Sequence, residues 1–175
     1  MERREKAINR FIEAQKHSHF TAKRELKRGR KTSHWMWYTF PQIQGLGYSE
    51  ISKYYAIQSI EELREFIRNK YLSRNLMELF NILLLSKNND ACDIFGDVDA
   101  IKFQSCLTLF NYSRYFHSVT SELLDKYYSG IRDENTDAIY KEMKYGSHGK
   151  KHEPIKRRGE RSDKPKRYTA KSAHV

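Results

Sequence analysis

Apolar side chains recur at helical spacing along most of the chain, and this spacing constrains the fold more than any other sequence feature. The clearest example is one face formed by Leu72, Leu76, Leu79, Phe80 and Leu83. Such a repeat is typical of a buried helix. No stretch alternates apolar and polar residues for more than a few positions, as a half-buried strand would. The pattern predicts an all-α fold, a compact single-domain bundle of several helices.

Capping residues indicate where several of these helices begin and end. Ser49 precedes one amphipathic stretch, and Ser59 with Glu62 forms a capping-box pattern ahead of another. Asp90 is placed to cap a short helix that Gly96 would end. The sequence therefore predicts helix starts at these positions as well as helical faces.

The segment 33–47, SHWMWYTFPQIQGLG, breaks the helical pattern. Proline disfavours helical backbone in the residue before it, so Phe40-Pro41 predicts an extended or turn conformation. Gly45 and Gly47 permit backbone conformations that other residues avoid. We expect a short helix or extended piece followed by a structured aromatic, glycine- and proline-containing loop.

Composition excludes several classes of protein. With 38% apolar and 13% aromatic residues the chain needs a packed interior, which excludes full disorder. The longest aliphatic run, residues 82–85, is too short to cross a membrane, and no membrane partner is predicted. The charged start MERREKAINR lacks the apolar region of a signal peptide. We expect an intracellular, cytoplasmic protein, which a eukaryotic cell could also import into the nucleus.

The charge is unevenly distributed and suggests a boundary near residue 145. The chain has 33 Lys+Arg and 22 Asp+Glu, a net charge of +11, and ten of the basic residues against three acidic ones fall in residues 146–175. This segment is poor in apolar residues, so we predict a helical domain over 1–145 and a disordered basic tail over 146–175. The alternatives are a solvated tail without a partner and a tail that binds nucleic acid, an acidic protein or a nuclear-import receptor. The predicted polyanion-binding residues are Lys156, Arg157, Arg158, Lys164, Lys166 and Arg167.

A second basic cluster lies inside the predicted domain. Residues 23–31 hold six Lys or Arg and one acid, Glu25. A solvated helix face would have the same composition. The position of the basic cluster directly ahead of the aromatic segment favours a role in binding an acidic partner.

The aromatic segment also carries candidate ligand-binding groups. Trp35 and Trp37 offer flat faces for a ring, His34 could act as a general acid or base or donate a hydrogen bond, and Lys31 could hold a phosphate. The alternative is that both tryptophans pack in the core.

A third group of polar residues follows on a predicted helix. Asp99, Lys102 and Ser105 are spaced by three, so Lys102 could activate Ser105 as a nucleophile or simply pair with Asp99. The sequence-based catalytic candidates are His34, Lys102 and Ser105, and the ligand-binding candidates are Lys31, Ser33, Trp35, Trp37, Gln42, Asp99 and Thr108.

Metal and cofactor motifs are absent from the sequence. Cys92 and Cys106 form no CxxC pair, and the seven histidines form no HExxH motif. Gly45-Leu46-Gly47 is a turn rather than a dinucleotide fingerprint, because no strand precedes it and the third glycine is missing. We therefore predict no metal and no cofactor.

The run Gly29-Arg-Lys-Thr-Ser-His-Trp-Met-Trp37, followed by Phe40-Pro-Gln42 and Gly45-Leu-Gly47, resembles the signature of the uncharacterised "domain of unknown function 1810" family. The resemblance spans about residues 8–140 and implies a compact, mostly helical domain without implying a reaction. Asn75 departs from the arginine that the family usually carries nearby. Further matching positions are Phe11, Ala14-Gln15, Tyr55-Ala56-Ile57, Ile94-Phe95-Gly96, Asp99, Lys102, Ser105, Thr108-Leu109-Phe110, Gly130, Asp133 and Thr136.

Three functions remain open from the sequence. The first is binding of, or action on, an anionic, phosphate-bearing, nucleotide-like small molecule at the SHWMW segment. The second is a basic module that binds nucleic acid or an acidic protein through residues 23–31 and the tail. The third is a purely structural or interaction domain in which the same polar groups serve as caps and internal hydrogen bonds.

Overall fold

A computed structural model describes residues 2–146, with side chains from residue 7 onward. Within that range the backbone forms nine helices and a single isolated parallel bridge, between Ile43 and Ile57. The all-α prediction is confirmed. The helices are α1 (Glu2–Lys27), α2 (Met36–Thr39), α3 (Glu50–Tyr55), α4 (Ile60–Arg68), α5 (Lys70–Leu85), α6 (Ala91–Phe95), α7 (Asp97–Phe110), α8 (His117–Tyr128) and α9 (Glu134–Tyr145).

The predicted caps are present. Ser49 accepts a hydrogen bond from the backbone N–H of Ser52, and Asp90 accepts from two N–H groups of α6. Ser59 accepts from the N–H of Glu62 at 3.0 Å. The return bond of the predicted capping box is shifted by one residue, because the Glu62 carboxylate accepts from the N–H of Gln58 at 2.6 Å. Local sequence therefore determines these helix starts.

The core lies between α1, α5, α8 and α7, which pack in that order, each against the next. Phe40, from the irregular segment, is fully buried at its centre. Its ring stacks on Phe80 of α5, with centroids 5.8 Å apart, and meets the edge of Phe103 of α7 at 5.0 Å. Aromatic pairs at such distances add to the stabilisation from burial alone. The irregular segment is thus anchored through the middle of the domain.

Helix α7 begins directly where α6 ends, because Gly96 adopts a φ of +79°. A residue with a Cβ would be strained there. The sharp turn places Asp99 and Lys102 of α7 beside the loop that leaves α1. This turn therefore brings two sequence-distant groups of candidate residues together.

The predicted basic tail lies outside the described residues except for Gly146, as do its candidates Lys156, Arg157, Arg158, Lys164, Lys166 and Arg167. Across residues 2–146, every helix is too short or too polar to span a bilayer.

Candidate functional site

A buried carboxylate, Glu25 at the end of α1, organises the start of the SHWMW segment. Its Oε2 accepts hydrogen bonds from the backbone N–H of Thr32 at 2.8 Å and of Ser33 at 3.1 Å. The same oxygen accepts from Trp35 Nε1 at 2.8 Å, and Oε1 accepts from the Ser33 hydroxyl. Burial opposes ionisation of Glu25, but these four donors outweigh it and lower its pKa to about 2.

Ser33 and Trp35 are consequently occupied within the protein. The Trp35 ring is buried and its only polar atom is satisfied by Glu25. Met36 is buried beside it. The burial of Trp35 and Met36 agrees with the alternative that the aromatic segment packs in the core. Ser33 and Trp35 are therefore not part of the proposed ligand site.

Three charged residues form a cluster where the loop after α1 meets α7. Lys31 Nζ lies 2.7 Å from Asp99 Oδ2, and Lys102 Nζ lies 2.8 Å from Asp99 Oδ1. The exposed fractions of these side chains are 8% for Lys31, 16% for Asp99 and 19% for Lys102. Burial raises the pKa of Asp99, but hydrogen bonds to the two ammonium groups outweigh it, and the pKa lies below its ordinary value. Two cations share one anion, so the cluster carries one excess positive charge.

Each lysine of the cluster also faces a tryptophan. Lys102 Nζ lies 4.1 Å from the Trp37 ring centroid, and Lys31 Nζ lies 5.0 Å from that of Trp35. Both distances permit cation–π attraction. Trp37 is partly exposed, unlike Trp35, and therefore presents a ring that a ligand could reach. His34 is exposed in the same segment.

Ser105 and Thr108 lie on α7 but bond toward α9. The fully buried Ser105 hydroxyl donates to Asp133 Oδ2 at 3.0 Å, and Thr108 Oγ1 accepts from the backbone N–H of Asp133 at 2.9 Å. Asp133 in turn caps α9 by accepting from the N–H of Thr136. These contacts are those of a helix-docking joint, so neither residue enters the proposed site.

Gln42, in the second half of the aromatic segment, is buried. Its carbonyl oxygen accepts from the N–H of Ile57 at 2.8 Å, which joins the loop to the start of α4. Its side-chain Nε2 is one of three buried polar atoms without a hydrogen-bond partner in the described part of the chain. Such an atom is costly to bury, and it marks Gln42 as a residue with unused donor capacity.

Sequence reasoning brought Lys31, Trp37, Asp99 and Lys102 forward as candidates, and the structure places these four together. It missed the role of Glu25. The only signal in the sequence was that Glu25 is the single acid in residues 23–31, and its donors come instead from Thr32, Ser33 and Trp35. Among residues 2–146, no group of three or more His, Cys, Asp or Glu side chains is arranged to hold a metal ion.

Comparison with known proteins gives a family for the chain. A family model described as "Protein of unknown function (DUF1810)" matches residues 5–140. Among solved structures, the chain is similar to the conserved hypothetical protein Rv1873 from Mycobacterium tuberculosis, with 35% sequence identity and a TM-score of 0.73. The similarity covers 75% of this chain and 94% of the mycobacterial chain. No curated protein matches the sequence. The match over most of its length shows that the chain belongs to the DUF1810 family of proteins of unknown function.

Proposed function

We propose that this protein binds a phosphate-bearing small molecule at the cluster of Lys31, Asp99 and Lys102 and the partly exposed Trp37 ring, with the exposed His34 in the same segment. The observation that carries the proposal is the sharing of Asp99 by two lysines. One carboxylate cannot neutralise two ammonium groups, so an anion placed against them completes the charge balance. The electrostatic attraction between an anion and a partly buried cation is also stronger than that between the same charges in bulk water.

The arrangement is suited to a ligand that combines an anion with a flat ring. Asp99 and the Trp37 face hold the Lys102 ammonium in one position, which reduces the entropy lost when a phosphate binds. The exposed part of the Trp37 ring offers a stacking surface alongside. His34, exposed in the same segment, can donate a hydrogen bond to a ligand that reaches it. A nucleotide combines an anionic phosphate with a flat ring. The arrangement supports binding of such a molecule and does not require a reaction.

A thermal-shift screen of the full chain at low salt tests the proposal. The probes are inorganic phosphate, pyrophosphate and nucleoside mono- and diphosphates. A ligand at about a hundred times its dissociation constant adds roughly 2.7 kcal/mol of stability. We expect the shift to disappear in Lys102→Met, because the fixed ammonium is lost.

Lys53→Met is the matched control, since Lys53 also pairs with a carboxylate three residues away, at 3.3 Å from Glu50, but is exposed on α3. Tryptophan fluorescence gives a second readout, because the chain has two tryptophans and Trp35 is buried. Ligand should change the emission of the wild type and of Trp35→Phe but leave that of Trp37→Phe unchanged. A thermal shift that survives in Lys102→Met would refute the proposed site.

A further inference from the structure

A surface between α1 and α5 combines exposed apolar residues with a basic rim. We call it the α1–α5 groove; it is lined by Lys23 and Lys27 of α1, Met77, Ile82 and Leu85 of α5, and Tyr115 after α7. Leu85 is 83% exposed and Tyr115 57%. Phe20, 74% exposed, continues the face of α1 that bears Lys23 and Lys27. Apolar exposure of this extent on adjoining elements is typical of an interaction surface.

The end of α5 is held firmly, so Leu85 is presented on a fixed support. Lys126 of α8 donates hydrogen bonds to the carbonyl oxygens of Leu83 at 2.9 Å and Leu84 at 2.8 Å, and also to that of Ser86. The Tyr127 hydroxyl donates to the Leu83 carbonyl at 2.7 Å. These hydrogen bonds keep the end of α5 from fraying. Leu85, the last residue of α5, is nevertheless exposed.

The rim of the groove is strongly positive. Lys27, Ile82 and Leu85 also line the adjoining pocket, which adds Arg28 and Lys87. Arg74 lies on the other side. The two adjoining pockets are thus lined by one carboxylate, Glu78, and by five basic residues, Lys23, Lys27, Arg28, Arg74 and Lys87. Glu78 is already paired with Lys23 and with His19 at 2.8 Å, and these hydrogen bonds lower its pKa.

We propose that the α1–α5 groove docks an acidic amphipathic segment of a partner protein. Aliphatic side chains of the segment would cover Ile82, Leu85 and Met77, and its Asp or Glu residues would pair with the rim. This geometry resembles other helix-in-groove interactions. An aliphatic floor favours a peptide over a nucleic acid, because phosphates and bases gain nothing from covering leucine and isoleucine. The inference is independent of the small-molecule site and goes beyond it.

Selection of short random peptides displayed on phage against the full chain tests the proposal. We expect the selected peptides to combine acidic residues with apolar residues at i, i+3 or i+4 spacing. Synthetic copies are then measured by fluorescence anisotropy. Leu85→Ser should weaken their binding about tenfold, because the peptide would no longer bury the apolar side chain of Leu85 when it docks. Arg74→Glu should weaken it further through repulsion of the acidic residues.

Val98→Ser and Lys70→Glu are the matched controls. Val98 is another exposed apolar residue, 68% exposed on α7, and Lys70 is an exposed basic residue at the other end of α5. Both should bind as the wild type does. Selected peptides that lack acidic residues, or that bind Leu85→Ser and the wild type equally, would overturn the proposal. A single-stranded RNA or duplex DNA that binds in a Leu85- and Arg74-dependent manner when peptides do not would also overturn it, in favour of nucleic acid.

Discussion

At the scale of single residues, Glu25 determines how the SHWMW segment leaves α1. The N–H groups of residues 28–31 donate to backbone carbonyl oxygens, whereas those of Thr32 and Ser33 donate to the Glu25 carboxylate, which also accepts from a hydroxyl and an indole. Hydrogen bonds to a buried carboxylate are stronger than those between neutral groups. A single side chain thereby provides the acceptors for two consecutive backbone N–H groups and two side chains.

Substitution of Glu25 should change the pH dependence of stability. A carboxyl whose pKa falls from 4.5 to about 2 on folding contributes about 3 kcal/mol at neutral pH. This contribution is complete above pH 4.5 and is lost as the pH falls toward 2. We expect Glu25→Gln to lower the free energy of unfolding by about 2–3 kcal/mol at pH 7 and by much less near pH 2.

Urea denaturation of the wild type and Glu25→Gln across this pH range measures the difference. Glu61→Gln is the control, since Glu61 is exposed and lies 3.6 Å from Arg64, where an ion pair contributes little. A constant difference between Glu25→Gln and the wild type at every pH would show that the ionised carboxylate is not the source of the stability.

At the scale of elements, α5 ends without a glycine cap, and α8 supplies the missing partners. Lys126 donates to three carbonyl groups at the end of α5, and the lysine charge also suits the negative end of the helix dipole. The bond joins two helices that are neighbours in the core. The same contact fixes the support for Leu85 in the α1–α5 groove.

Removal of this ammonium should destabilise the end of α5. We expect Lys126→Met to lower the free energy of unfolding by about 2 kcal/mol, because partly buried carbonyl groups lose a charged donor. Amide hydrogen exchange in the last turn of α5 should accelerate at the same time. Lys141→Met, at an exposed position on α9, should change neither quantity. Wild-type exchange rates in Lys126→Met would contradict the capping role.

At the scale of the whole molecule, positive charge is concentrated in two places. The described domain carries it along the last turns of α1, and the remainder lies in residues 146–175, which hold a net +7 of the total +11. Nonspecific binding to polyanions scales with the number of cations that contact phosphates and weakens as salt increases. Deletion of the tail therefore separates its contribution to polyanion binding from that of the basic residues in the described domain.

Deletion of residues 146–175 should reduce affinity for single-stranded RNA and decrease the slope of log affinity against log salt, because the chain loses ten basic residues. Filter binding at several salt concentrations measures both quantities. The unfolding temperature should stay close to that of the full chain, as expected if the folded domain ends near residue 145. Unchanged affinity and slope would eliminate the tail as the polyanion-binding element.

The helices, their caps and part of the site followed from local patterns. Asp90 and Ser49 act on N–H groups a few residues away, and Asp99 pairs with Lys102 within one helical turn, so these contacts depend only on neighbouring sequence. The pairing of Lys31 with Asp99 depends on how α7 packs against the loop after α1. The spacing of residues along the sequence does not give the distance between Lys31 and Asp99.

The sequence by itself determined that the chain is helical, where several helices begin, and which polar residues stand out from an apolar background. Only the tertiary structure decided which of those residues lie together. It assigned Ser33 and Trp35 to Glu25, and Ser105 and Thr108 to the α9 joint, because buried polar groups must find partners wherever the packing places them. The same packing left Lys102 and Trp37 partly exposed and the apolar residues of the α1–α5 groove at the surface, because no other element of the described chain covers them.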